Sequence, residues 1–221
     1  MLAVKSYDGY ACRETLAACM GLLSECYAPD ARWNLSQVTI TRAHLIPARN
    51  HCMEVAMEAR RALGVDVLLS VDADVGWLRP RDVFTLMEEC LDFGDVALAA
   101  AVARRGDGDG LNVFPPETEG SLRPLTTAKT VERVGFDLVA FHLAWWARAF
   151  ADRDGQREVL EEQVTRDATN CFRWLPPLGE DYDACDFVRA MHGRVVICPW
   201  VATVHQGRVW AGERPMVERP S

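Results

Sequence analysis

The run Val67-Leu68-Leu69-Ser70-Val71 is almost wholly aliphatic and stops on Asp72-Ala73-Asp74. Its length and its lack of polar alternation mark a strand covered on both faces, as strands are in the middle of an α/β sheet. Alternate strand residues share a face, so Asp72 and Asp74 point the same way where the strand runs out of the sheet. Hard carboxylate oxygens at that edge suit Mg²⁺ or Mn²⁺, ions that keep positions open for phosphate oxygens.

The flanking sequence alternates strand patterns with helical ones. Residues 2–4 read as a first strand followed by the turn Ser6-Tyr7-Asp8-Gly9, and residues 12–26 as a helix with Cys12, Leu16, Cys19, Leu23 and Cys26 on one face. A strand at 37–41 precedes Ile46-Pro47-Ala48-Arg49-Asn50, which leads into a helix with Cys52, Val55, Ala56, Ala59 and Leu63 on its apolar stripe. Pro80 and Asp82 open a further helix, and 96–102 is a second buried strand. Residues 134–141 read as a strand, 143–150 as a helix and 152–170 as a polar surface helix or excursion. Trp145 and Trp146 are adjacent, so one is expected in the core and the other is open to solvent exposure. After Gly179-Glu180-Asp181-Tyr182-Asp183 a helix runs towards His192, followed by a strand at 195–198 and by Val204-His205. This order predicts a mostly parallel mixed sheet in a three-layer, Rossmann-like α/β/α fold.

Composition narrows the function. A formal charge of -8 argues against non-specific nucleic-acid binding, which rests on clustered Lys and Arg. No apolar run reaches the roughly 18 residues of a membrane span, and the N-terminus lacks the layout of a signal peptide, so a cytoplasmic protein without a membrane partner is expected. The eight cysteines include no C-x-x-C pair, and they read as small core hydrophobes instead of a zinc or iron–sulfur site.

Four segments in order, Ala48-Arg49-Asn50, Val71-Asp72-Ala73-Asp74, Gly179-Glu180-Asp181 and the later His205, resemble the glycosyltransferases of the GT-A fold. Ser6-Tyr7-Asp8-Gly9 is similar to the turn that touches the nucleotide base in that family, with Lys5 where many members carry proline, and 134–139 looks like the acceptor-side strand. The Gly-Glu-Asp block and the histidine resemble those of β-1,4-galactosyltransferases and polypeptide N-acetylgalactosaminyltransferases. The resemblance implies one catalytic domain over 1–206, with a donor-binding half at about 1–103, an acceptor half at about 104–206, and 207–221 as an arm or tail. It implies a bacterial or phage type of enzyme that moves a sugar from a nucleotide-sugar donor, UDP- or GDP-linked, to a hydroxyl acceptor. The acceptor class is open among glycans, proteins, small molecules and modified DNA bases.

The resemblance also assigns roles. Asp74 and His205 would bind Mn²⁺ or Mg²⁺, with Asp72 contacting the ion through water or holding ribose and sugar hydroxyls. Ser6, Tyr7, Asp8, Arg49 and Asn50 would bind the donor. Asp181 would act as general base with Glu180 beside it, and Asp183 and Trp174 would bind the acceptor. In a retaining enzyme no such base is needed, and the sequence does not choose between inversion and retention. The loop Arg104–Gly110 reads equally as a lid or a solvated linker. Two other classes stay open. A sugar-phosphate nucleotidyltransferase would need a Gly-rich phosphate loop after the first strand, and a non-catalytic relative would bind nucleotide sugars or glycans without turnover.

Overall fold

The structure is a computed structural model describing residues 1–6, 11–28, 31–35, 37–41, 44–104, 110–160, 165–173, 179–205 and 208–211. In chain order its elements are β1 (Leu2–Ser6), α1 (Arg13–Cys26), β2 (Gln37–Thr41), α2 (Leu45–Leu63), β3 (Val67–Asp72), β4 (Val75–Trp77), α3 (Pro80–Asp92) and β5 (Val96–Ala101). There follow β6 (Val113–Phe114), α4 (Glu119–Leu122), β7 (Lys129–Val131), β8 (Arg133–Val134), β9 (Leu138–His142), α5 (Leu143–Ala151), α6 (Arg153–Leu160), α7 (Glu180–Ala190), β10 (Arg194–Cys198), β11 (Thr203–His205) and β12 (Arg208–Trp210).

Seven strands form the central sheet in the order β2-β1-β3-β9-β5-β10-β7. β2, β1 and β3 pair in parallel, and so do β5 and β10. β9 is antiparallel to both β3 and β5, which leaves those two pointing the same way, and β7 is antiparallel to β10. The sheet is therefore mixed and mostly parallel, as expected.

β3 shows why the fold has three layers. Val67, Leu69 and Val71 pack with Ala18 and Leu22 of α1 and Val83, Leu86 and Met87 of α3. Leu68 points to the other side, among Cys52 and Met53 of α2, Trp146 of α5 and Phe187 of α7. An unbroken apolar strand needs partners on both faces, and each full burial of such a side chain stabilises the fold by roughly 1.5–3 kcal/mol.

Several local readings differ from the structure. Thr15, Ala18, Cys19 and Leu22 form the buried face of α1, while Leu16 is 56% exposed, so the heptad reading rotated the helix by part of a turn. The inner stripe of α2 is Ala48, Arg49, Cys52, Met53 and Ala56, with Leu63 outside. Trp145 and Trp146 are both buried, because α5 packs on β5 and β9 and Phe187 of α7 lies against both rings. The strand read at 134–141 is broken at Gly135-Phe136-Asp137 into β8 and β9. The stretch read as a surface excursion contains the buried Gln156, Thr165 and Arg166. Arg208–Trp210, read as arm, pairs with β11. Trp210 there is fully buried and donates from Nε1 to the Pro199 carbonyl at 2.9 Å. The loop 105–109 lies outside the described residues, and no described helix is long and apolar enough to cross a membrane.

Trp146 is fully buried against Phe141 and Phe187 and donates to the Ala97 carbonyl at 3.0 Å. Trp146→Ala should cost about 3–5 kcal/mol in urea denaturation, against less than about 0.5 for the exposed Leu63→Ala. Equal losses would contradict this packing.

Candidate functional site

β3 ends at Asp72, the chain turns through Ala73-Asp74, and β4 starts at once. β11 pairs antiparallel with β4 in the register His205↔Val75, which brings His205 beside Asp74. His205 Nε2 lies 3.3 Å from Asp74 Oδ2, and its Nδ1 lies 2.7 Å from the Arg104 carbonyl. A proton on Nδ1 donated to that carbonyl fixes the tautomer and leaves Nε2 facing Asp74. Without a cation the pair is a salt bridge, and the Asp74 carboxylate, working against burial, raises the imidazole to about 9.

The pair also suits a divalent ion. Neighbouring ligands of an octahedral ion at about 2.1 Å lie about 3 Å apart, close to the spacing of these two atoms. No cluster of three or more His, Cys, Asp or Glu that could hold a metal occurs among the described residues. Among the described residues, Asp74 and His205 are the pair that could ligate such an ion, and substrate oxygens and water would complete its shell, the usual arrangement for Mg²⁺ at phosphates.

The turn that carries Asp74 is clamped from α1. Cys12 N–H donates to the Ala73 carbonyl at 2.7 Å, and the buried Thr15 hydroxyl lies 2.9 and 2.7 Å from the carbonyls of Ala73 and Val75. Gly76 makes this approach possible, since a Cβ there would sit 2.8 Å from the Glu14 backbone.

Arg49 forms a second cluster beneath the edge. Its buried guanidinium meets Asp72 Oδ2 at 3.3 Å, Glu180 Oε1 at 2.8 Å and the Asp181 carboxylate. Lys5 of β1, also buried, meets Asp72 Oδ1 at 2.7 Å, and burial lowers its pKa. Asp181 Oδ2 accepts from Phe136 N–H at 3.0 Å. Glu180 and Asp181 sit in the first turn of α7, where the helix dipole also favours acids. Arg49 therefore joins the end of β3 to the start of α7.

Asp137, at the chain break before β9, is a further carboxylate of this edge. Its carbonyl accepts from Asp72 N–H at 3.0 Å and its Oδ2 from Asn112 Nδ2 at 2.5 Å. Desolvation, and then the charge of Asp72, push its pKa upward.

The sequence-derived residues fall into three groups. Asp74 and His205 meet each other, and Asp72 meets Arg49, Glu180 and Asp181 through the guanidinium. Two others are engaged with the scaffold. Asn50 makes a two-bond pair with the Phe172 backbone at 3.0 and 2.8 Å, and the buried Asp183 is bidentate to Arg166 at 2.9 and 2.8 Å. Tyr7, Asp8 and Trp174 lie outside the described residues, and Ser6 is described as the last residue of β1. Sequence reasoning missed Thr15, Asn112 and Asp137 and gave Lys5 no role. A usable signal existed for Asp137, an acid two residues after a glycine in an otherwise apolar run.

Comparison with solved structures finds A197 from STIV, with a TM-score of 0.58 and 14% identity over 100% of this chain and 96% of that one. This likeness shows a shared fold. Weaker overlaps occur with CMP:2-keto-3-deoxy-manno-octonic acid synthetase complexed with CTP (TM-score 0.35, 11% identity, 73% of this chain and 82% of that one) and with mannose-1-phosphate geranyltransferase from Thermus thermophilus (0.45, 13%, 89% and 72%). No family model matches the chain, and no curated protein matches it.

Two measurements test the site. Thr15→Val keeps the shape but removes the hydroxyl shared by the Ala73 and Val75 carbonyls, of which Ala73 keeps the Cys12 N–H, and should destabilise by about 1–3 kcal/mol. Wild-type stability would contradict the clamp. The His205 pKa lies above its unfolded value of 6.5, so the stability it adds to the metal-free protein is fully present below pH 6.5 and is lost as pH rises through about 9. The fall in urea midpoint over that interval should shrink in His205→Gln, and an unchanged profile would exclude the pair.

Proposed function

We infer that this protein is a glycosyltransferase using a divalent cation and a nucleoside-diphosphate sugar. The observation that carries the reading is the meeting of Asp74 and His205, 131 residues apart, at the exit of a central strand in a Rossmann-like sheet. A cation bound there would neutralise the charge that develops on the diphosphate leaving group. The chain's own groups prepare this edge. Thr15 and Cys12 fix the Asp74 turn, and the Arg104 carbonyl orients His205. Lys5 and Arg49 hold Asp72, and Arg49 ties the acceptor-side helix α7 to the donor edge through Glu180 and Asp181.

With Asp74 and His205 as the described ligands, cation and nucleotide should bind together. In calorimetry, Mn²⁺ alone should bind weakly, UDP or GDP should bind at least about tenfold tighter with Mn²⁺ than without it, and Asp74→Ala should abolish that gain. Incubation with a nucleotide sugar should release nucleoside diphosphate slowly by hydrolysis. Nucleotide binding indifferent to Mn²⁺, with no release from any UDP- or GDP-sugar, would overturn the reading.

A further inference from the structure

Asp137 stands where its charge works against the fold. The register Val71↔Leu138 continues into the Asp72–Asp137 hydrogen bond, which sets two carboxylate residues opposite each other on neighbouring antiparallel strands. Such pairs have Cβ atoms about 4.5–5.5 Å apart and destabilise a sheet when both carry the same charge. Asp72 is met by Lys5 and Arg49, whereas among the described residues Asp137 is met on Oδ2 by the neutral Asn112 amide alone. A desolvated carboxylate held by one amide weakens the fold.

The holding is nevertheless specific. Asn112 Oδ1 accepts from Ala103 N–H at 2.9 Å, and Nδ2 also faces the carbonyls of Ala101 and Gly135 at 3.5 and 3.3 Å, so the amide is pinned while it donates to Asp137. Gly135 leaves the room, because a Cβ there would lie 3.1 Å from Asn112 Cβ and 3.4 Å from Asp137 Oδ2. Among the described residues nothing donates to Oδ1. One oxygen is thus fixed by Asn112, and none of the described residues donates to the other.

We propose that Asp137 is a sugar-contacting residue whose Oδ1 accepts a hydrogen bond from a hydroxyl of the transferred pyranose. This rests on the nucleotide-sugar reading above, in which the sugar must lie between the diphosphate and the acceptor. Asp137 stands between those places. Its backbone is bonded to Asp72 at the donor edge, and the preceding Phe136 N–H is bonded to Asp181 at the start of α7. Its charge is also felt at His205. A carboxylate with one oxygen pinned presents the other in a fixed direction, which suits selection among hydroxyl arrangements.

The test compares UDP and GDP with UDP-glucose, UDP-galactose, UDP-N-acetylglucosamine and GDP-mannose, each titrated with Mn²⁺ into wild type, Asp137→Asn and Asp137→Ser, with thermal unfolding to confirm that the variants fold. The inference expects both variants to keep the wild-type affinity for the sugar-free diphosphate within about twofold, while the preferred sugar nucleotide binds about 10- to 100-fold more weakly. Equal weakening of diphosphate and sugar nucleotide would place Asp137 at the cation or the ribose, or give it a structural role, and would overturn the inference. Unchanged binding of both, or a wild type that gains nothing from the sugar, would also overturn it. A wild type that binds no nucleotide at all would remove the parent reading and this inference together.

Discussion

A guanidinium leaves water only where carboxylates meet it, and the fold places three around Arg49. The residue sits in the first turns of α2, faces inward instead of out to solvent, and draws together the last residue of β3 and the first two of α7. Removing one partner from such a buried cluster typically costs about 3–5 kcal/mol, because the remaining charges lose their compensation. The cluster therefore sets the distance between the edge that carries Asp72 and Asp74 and the helix that carries Glu180 and Asp181. The Asp74–His205 pair and Asp137 lie at the same strand edge as Asp72.

The small sheet of β4, β11 and β12 completes the arrangement. It supplies no large core of its own, yet its register alone decides that His205 faces Asp74. Trp210 anchors it, buried and bonded to the Pro199 carbonyl, with the Arg123 guanidinium 5.7 Å from its ring. A segment that looks like an irregular end in the sequence is thus what holds the candidate ligand in place.

The layered α/β fold was legible in the sequence because it rests on local signals: unbroken apolar strands at 67–71 and 96–101, helical stripes between them, and Pro80 opening a helix. Asp74 and His205 were legible as a pair only through the order of motifs. The partners of Arg49 were not legible, since Arg49 and Glu180 are 131 residues apart and no periodicity reports so distant a pairing. For the same reason the sequence offered Arg49 and Asn50 to a ligand, while the structure engages Asn50 with the Phe172 backbone and Arg49 with the protein's own acids. Asp137 was hidden because residues 134–141 read as one strand. The break at Gly135-Phe136-Asp137, which brings the acid to the edge, follows from the Asn112 amide and the Asp181 carboxylate bonding to that stretch.

The central claim is that Asp74 and His205 share one cation in the presence of a nucleoside diphosphate. Anomalous diffraction from crystals grown with Mn²⁺ and UDP or GDP tests it most directly. The account predicts a single manganese peak about 2 Å from both an Asp74 carboxylate oxygen and His205 Nε2, with diphosphate oxygens completing its shell. A bound nucleotide whose manganese lies away from both residues, or that binds there with no manganese, would contradict it.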